Sequence, residues 1–128
     1  MNIEPIGEKP SNNNLFNLSL LEEMDDNEYV SDILDIFLSD TPKELKKLQN
    51  ACTSSQFDAI HKIAHKLKSN AGLLQAKHLQ DALIKIEKAA IAKDADGLAK
   101  LYEQINKDYQ KIASPLQIHL TNIKIGLK

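Results

Sequence analysis

Residues 56–74 read QFDAIHKIAHKLKSNAGLL, and Ile60, Ile63, Ala64, Leu67, Ala71 and Leu74 share one face when the segment is wound at about 100° per residue. That spacing predicts an amphipathic helix with a core-facing stripe. A second face, rotated by roughly 130° at the same pitch, collects His61, His65, Lys68, Ser69 and Gly72. His65 is therefore expected to stand in solvent, with Lys68 one turn on and Gly72, which has no side chain, one turn beyond that. Between His61 and Gly72 lie three lysines and neither a carboxylate nor a cysteine.

The same periodicity extends in both directions. Upstream, LSLLEEM at 18–24 is a short apolar segment, and Tyr29, Val30, Ile33, Leu34, Phe37 and Leu38 repeat along one face of a strong helix. Thr41-Pro42-Lys43-Glu44 is both a capping box and a proline at a first helical position, so the chain either restarts a helix there or kinks within a longer one. Leu45, Leu48 and Cys52 carry the stripe to about residue 53, and Ser54, Ser55 and Asp58 signal the start of the quoted helix. Downstream, Leu79, Ala82, Leu83, Ile86 and Ala90 mark a further helix that ends near KDADG. Leu98, Leu101, Tyr102, Ile105, Tyr109 and Ile112 mark the last.

Only four glycines occur, and no alternating strand-like run precedes residue 116. The fold class is all-α, an antiparallel up-down four-helix bundle with a short extra N-terminal helix. Residues 1–14, rich in Pro, Gly and Asn, are expected to be a flexible tail, 15–114 the bundle, and 115–128 a C-terminal tail with room for a short helix behind Ser114-Pro115.

At 128 residues, one domain with one core is expected. A net charge of −2 with 27% charged residues supplies no basic field for nucleic acid. Cys52 is the single cysteine, which excludes a disulfide framework and a thiolate metal cluster and fits a reducing, cytoplasmic setting. No run approaches the roughly 18 apolar residues of a membrane span, and four stripes that satisfy one another point to a monomer.

Four readings of the basic patch are open. It is a solvated helix face; or a metal site, since His61 and His65 have i, i+4 spacing, although the neighbouring lysines repel a cation and no third ligand is evident. A general base would need a nucleophile and an orienting carboxylate, neither of which the sequence assigns. Finally, His65 is itself a nucleophile: neutral imidazole, with a reference pKa of about 6.5, offers a lone pair, and an adjacent ammonium stabilises an arriving phosphoryl group.

His65-Lys66-Leu67-Lys68 followed by small residues, then Leu74, Ala76 and Leu79, resembles the signature of histidine-containing phosphotransfer (HPt) domains. LSLLEEM, DDNEYV, Phe37, Thr41-Pro42, Asp58, Ile86-Glu87 and DADGLAKL look like family counterparts, so the resemblance covers about residues 18–112. Two positions depart from the family pattern, Ser69 and Gln75 standing where it has glycines. The resemblance implies that His65 accepts a phosphoryl group from a receiver-domain aspartyl phosphate and passes it on in a multistep phosphorelay, with Lys68 neutralising its charge. His61, Ser69, Gly72 and Ile36 would then flank the docking patch.

The implied partners are response-regulator receiver domains and a hybrid histidine kinase. The chain is expected to need no cofactor or metal of its own, with Mg2+ held by the receiver. No glycine-rich phosphate loop or Walker lysine is present, so a phosphocarrier rather than an enzyme is implied. The alternatives from other classes are a non-phosphorylated helical adaptor that binds receivers through the same face, and a metal-binding bundle.

Overall fold

A computed structural model describes residues 15–126, and the tail expected over 1–14 lies outside the described residues. Among the described residues five helices follow in order: α1 (Ser19–Glu22), α2 (Asn27–Thr53), α3 (Phe57–Leu73), α4 (Lys77–Ile91) and α5 (Leu98–Lys124). Each of the long four reverses direction from the last. They form a ring in which α2 meets α3, α3 meets α4, α4 meets α5 and α5 returns to α2. α1 covers the end near the α3–α4 turn, where the Asn17 backbone N–H donates to the Leu74 carbonyl at 2.9 Å.

The apolar stripes meet as their spacing predicts. Leu34, Leu48, Ile60, Leu83, Ile86, Ile105 and Leu116 are fully or almost fully buried, and the Phe37 and Tyr109 rings lie tilted at 5.7 Å across α2 and α5. Asp26 caps α2 by accepting from the Tyr29 N–H at 3.0 Å.

Three of the turns use one device. Ser55, Gln75 and Lys93 each take a left-handed φ of 51–56° just past a helix end, and the next residue's N–H folds back to a carbonyl of the last turn, as Ala76 does to Ala71 at 2.9 Å. Glycine suits such a position best, which accounts for the glycine that the HPt pattern has where this chain has Gln75. The glutamine side chain contributes a compensating contact, its Nε2 donating to the Asn17 carbonyl and to Ser19 Oγ at 3.4 Å each.

Both internal prolines are absorbed. α2 runs unbroken through Pro42, which resolves the open question at Thr41. The boundary expected at 114–115 is not there: α5 continues through Pro115, and Leu116 and Leu120 are 0% and 2% exposed. A proline inside a helix costs about 3 kcal/mol. Burying two leucines offsets that cost, and Pro42 is exposed, so the backbone bond it lacks is not missing from the core. Residues 115–124 therefore belong to the bundle. Leu116→Ala is expected to lower the unfolding free energy by about 3 kcal/mol in urea titration, whereas a residue in a detached tail would change it by under about 0.5 kcal/mol.

Candidate functional site

The second face of α3 lies along its seam with α4. His65 and His61 project from it with side chains 62% and 44% exposed, and Lys68 is 27% exposed. Facing them from α4 is Glu87, only 7% exposed as a residue. Its Oε1 accepts from Lys68 Nζ at 2.7 Å, and its Oε2 lies 3.1 Å from His65 Nδ1 and 3.4 Å from His61 Nε2. The two imidazole rings stack with centroids 6.2 Å apart at 25°.

A carboxylate this deep in a helix seam is tolerable only with donors around it. Burial pushes the Glu87 carboxyl up, but the Lys68 and His65 hydrogen bonds and their charges more than offset it, and the net shift is downward. Glu87 is thus ionised at neutral pH and can only accept. That assigns the His65 tautomer: Nδ1 carries the proton and donates it to Glu87, and Nε2 keeps its lone pair. Among the described residues Nε2 has no hydrogen-bond partner. The arrangement is an oriented imidazole nucleophile on an exposed surface, beside an ammonium.

The remaining residues singled out in the sequence fall in different places. Lys66 turns toward α2 and donates to Glu44 at 3.2 Å, which leaves Lys68 as the cation beside His65. Ser69 is exposed, and its Oγ donates to the His65 carbonyl at 3.2 Å within α3. Gly72 is half-buried, and a Cβ there would stand 2.8 Å from Gln80 Nε2, so α4 takes up the room that glycine leaves. Ile36 is 58% exposed on α2, beside Leu73 and Asn70 at an apolar notch of about 130 Å³. Leu73 is eight residues past His65, about 12 Å along the helix axis, so Ile36 lies at the α2–α3 seam and not beside the imidazole.

Glu87 was not singled out as a site residue, because the carboxylate arrives from 22 positions downstream. A signal was present. Glu87 interrupts the α4 stripe of Leu83, Ile86 and Ala90, all buried, and a glutamate on a core-facing stripe demands a partner. Among the described residues no group of three or more His, Cys, Asp or Glu is arranged to hold a metal ion. None of the described helices is long and apolar enough to cross a membrane.

Comparison with known proteins bears on this geometry. The Hpt domain family model matches residues 32–115. Histidine-containing phosphotransfer protein 2 of Arabidopsis thaliana is 21% identical over 103 residues, which are 78% of this chain and 66% of that protein. The chain thus spans just under two thirds of the length of that curated relative. The crystal structure of histidine-containing phosphotransfer protein B (HptB) from Pseudomonas aeruginosa PAO1 matches with a TM-score of 0.78 at 17% identity, over 84% of this chain and 96% of that one, a likeness of fold.

The lowered Glu87 carboxyl has a consequence for stability. Its contribution is complete above the ordinary glutamate value of about 4.3 and is lost as pH falls through the lower folded-state value. Glu87→Gln is expected to destabilise by about 1 kcal/mol at pH 7, with the gap to wild type closing below about pH 4 in denaturant titrations run across pH.

Proposed function

Because the chain belongs to the Hpt domain family, we propose that it carries a phosphoryl group on His65 between receiver-domain aspartates in a multistep phosphorelay. The observation that carries this reading is the free, exposed Nε2 of an imidazole whose Nδ1 is tied to a buried carboxylate. Hpt proteins act in histidine phosphotransfer with receiver domains of two-component systems. The chain would meet such receivers and a hybrid histidine kinase, as a cytoplasmic monomer.

The step is an in-line displacement. The His65 Nε2 lone pair attacks phosphorus of the aspartyl phosphate, the N–P bond forms, and the P–O bond to aspartate breaks with its electron pair leaving on the carboxylate. The proton on Nδ1 stays in place. The phosphorylated ring is then cationic, and Glu87 at 3.1 Å balances that charge, which holds the phosphoryl group in a form ready to be passed on. Lys68 exchanges its Glu87 contact for the phosphoryl oxygens, a short move for an ammonium already within 2.7 Å of the same carboxylate. Mg2+ and the acidic pocket that binds it belong to the receiver, so the bundle needs no cofactor and acts as a carrier rather than an enzyme.

Docking is assigned to the face around His65, with His61 and Ser69 beside the imidazole, Gly72 keeping the α3–α4 seam close, and Ile36 with Leu73 supplying the apolar margin. Signalling contacts of this kind need only about 1,200 Å² in total.

Incubation with a phosphorylated receiver domain is expected to place acid-labile, base-stable phosphate on His65, mapped by mass spectrometry and removed again by an unphosphorylated receiver. His65→Gln is expected to accept none, and Lys68→Ala to transfer roughly 10- to 100-fold more slowly. Retained receiver binding with no phosphate on wild-type protein would replace the carrier with the helical adaptor.

A further inference from the structure

Lys68 and the reacting nitrogen of His65 face different ways. Glu87, on the α4 side of α3, takes His65 Nδ1 at 3.1 Å and Lys68 Nζ at 2.7 Å. The two nitrogens of an imidazole point to nearly opposite sides of the ring, so with Nδ1 turned toward α4, Nε2 is turned away from it. At about 100° per residue Lys68 lies roughly 60° from His65 toward α4, and Lys62 lies roughly 60° from it in the other direction. Further round that way Lys66 reaches Glu44 of α2. Lys62 therefore stands on the open strip between His65 and the α2 seam, on the side that Nε2 faces.

Lys62 is exposed and sits one turn before His65. Side chains on an α-helix lean toward its N-terminus, and the His65 ring does so, since it stacks on His61 with centroids 6.2 Å apart. The ring thus overlies the turn from which Lys62 projects. Of the three lysines on α3, Lys66 is bound to Glu44 and Lys68 to Glu87, while among the described residues Lys62 makes no ion pair. Asp58, one turn before it, makes none among those residues either, and Glu44 is taken by Lys66 at 3.2 Å and Lys47 at 3.6 Å.

We propose that Lys62 supplies a second cation to the phosphoryl group on His65, its ammonium meeting the phosphoryl oxygens from the side that Nε2 faces. This inference rests on the carrier reading of His65. Lys68 reaches those oxygens only by giving up Glu87, whereas Lys62 has no ion pair to break. The four-carbon stem of an exposed lysine lets its ammonium swing to an oxygen one turn away. Negative charge on the group in transfer is then met from both sides of the imidazole. Lys62 forms no covalent bond and gives up no proton; it acts through its charge.

The test uses the full chain as wild type, Lys62→Ala and Lys62→Arg. Potassium phosphoramidate loads His65 without a partner protein, the site is mapped by mass spectrometry, and nitrogen NMR follows the Lys62 ammonium, assigned by its absence in Lys62→Ala. In wild type that signal, broadened beforehand by exchange with water, is expected to sharpen and shift once phosphate is on His65, with the Lys47 ammonium as an unmoved control. Single-turnover transfer from a phosphorylated receiver domain at saturating receiver is expected to slow roughly fivefold in Lys62→Ala, with receiver affinity changed less than about twofold. Arg at 62 keeps the charge and is expected to recover most of that rate.

An ammonium signal identical in loaded and unloaded protein would overturn the inference. So would a loss confined to receiver affinity with the saturated rate unchanged, which would make Lys62 a docking contact alone. If phosphoramidate loads His65 and no receiver transfers to it, the carrier reading falls, while the ammonium signal still decides whether Lys62 meets the phosphoryl group. A His65 that takes phosphate from neither source would remove both.

Discussion

Two donors on α3, Lys68 and His65, converge on one carboxylate from α4, and the site depends on that convergence. A glutamate 7% exposed in a helix seam would destabilise the fold if it stood alone, because a buried charge without donors costs several kcal/mol. The hydrogen bonds and charges of Lys68 and His65 make it tolerable. The same requirement runs in reverse: since Glu87 can only accept, it dictates which nitrogen of His65 holds the proton and which is free. A structural need of the α3–α4 interface and the orientation of a nucleophile are met by one group.

The bundle supplies the rigidity that this arrangement requires. The neighbours of His65 on α3, Ala64 and Leu67, and those of Glu87 on α4, Ile86 and Ala90, are buried in the core and fix both helices. Relative sliding of α3 against α4 by a single turn would move the carboxylate about 5.4 Å along the seam and break all three contacts. The left-handed residue at Gln75 and the fold-back of Ala76 to Ala71 set the length of the α3–α4 turn and with it that register. Gly72 lets Gln80 of α4 approach the α3 backbone at the same end. The turn, the glycine and the acid–histidine cluster are successive points along one helix pair.

Exposed chemistry and buried chemistry are separated on α3 by roughly a third of a turn. The core stripe carries stability, and the opposite face carries a nucleophile and a cation whose usefulness depends on not being buried. On the carrier reading proposed above, such a scaffold would have no need to enclose its substrate, because a second protein would bring both the phosphoryl group and the groups that activate it.

How much was legible follows from the range of each interaction. Helix periodicity is local, so the all-α class, the four stripes and the exposure of His65 could be read from residues a few positions apart, and the structure agrees at each long helix. The stop expected at Ser114-Pro115 was misread because the local cost of proline is visible in sequence and the burial of Leu116 and Leu120 against other helices is not. Thr41-Pro42 was ambiguous for the same reason. His65, Lys68 and the i, i+4 relation to His61 are properties of one helix and were determined by sequence alone. The partner of that triad is not: Glu87 meets His65 across 22 positions of chain, and only the packing of α3 on α4 decided that the carboxylate would arrive there, which nitrogen it would bind, and that His61 would stand 3.4 Å from it.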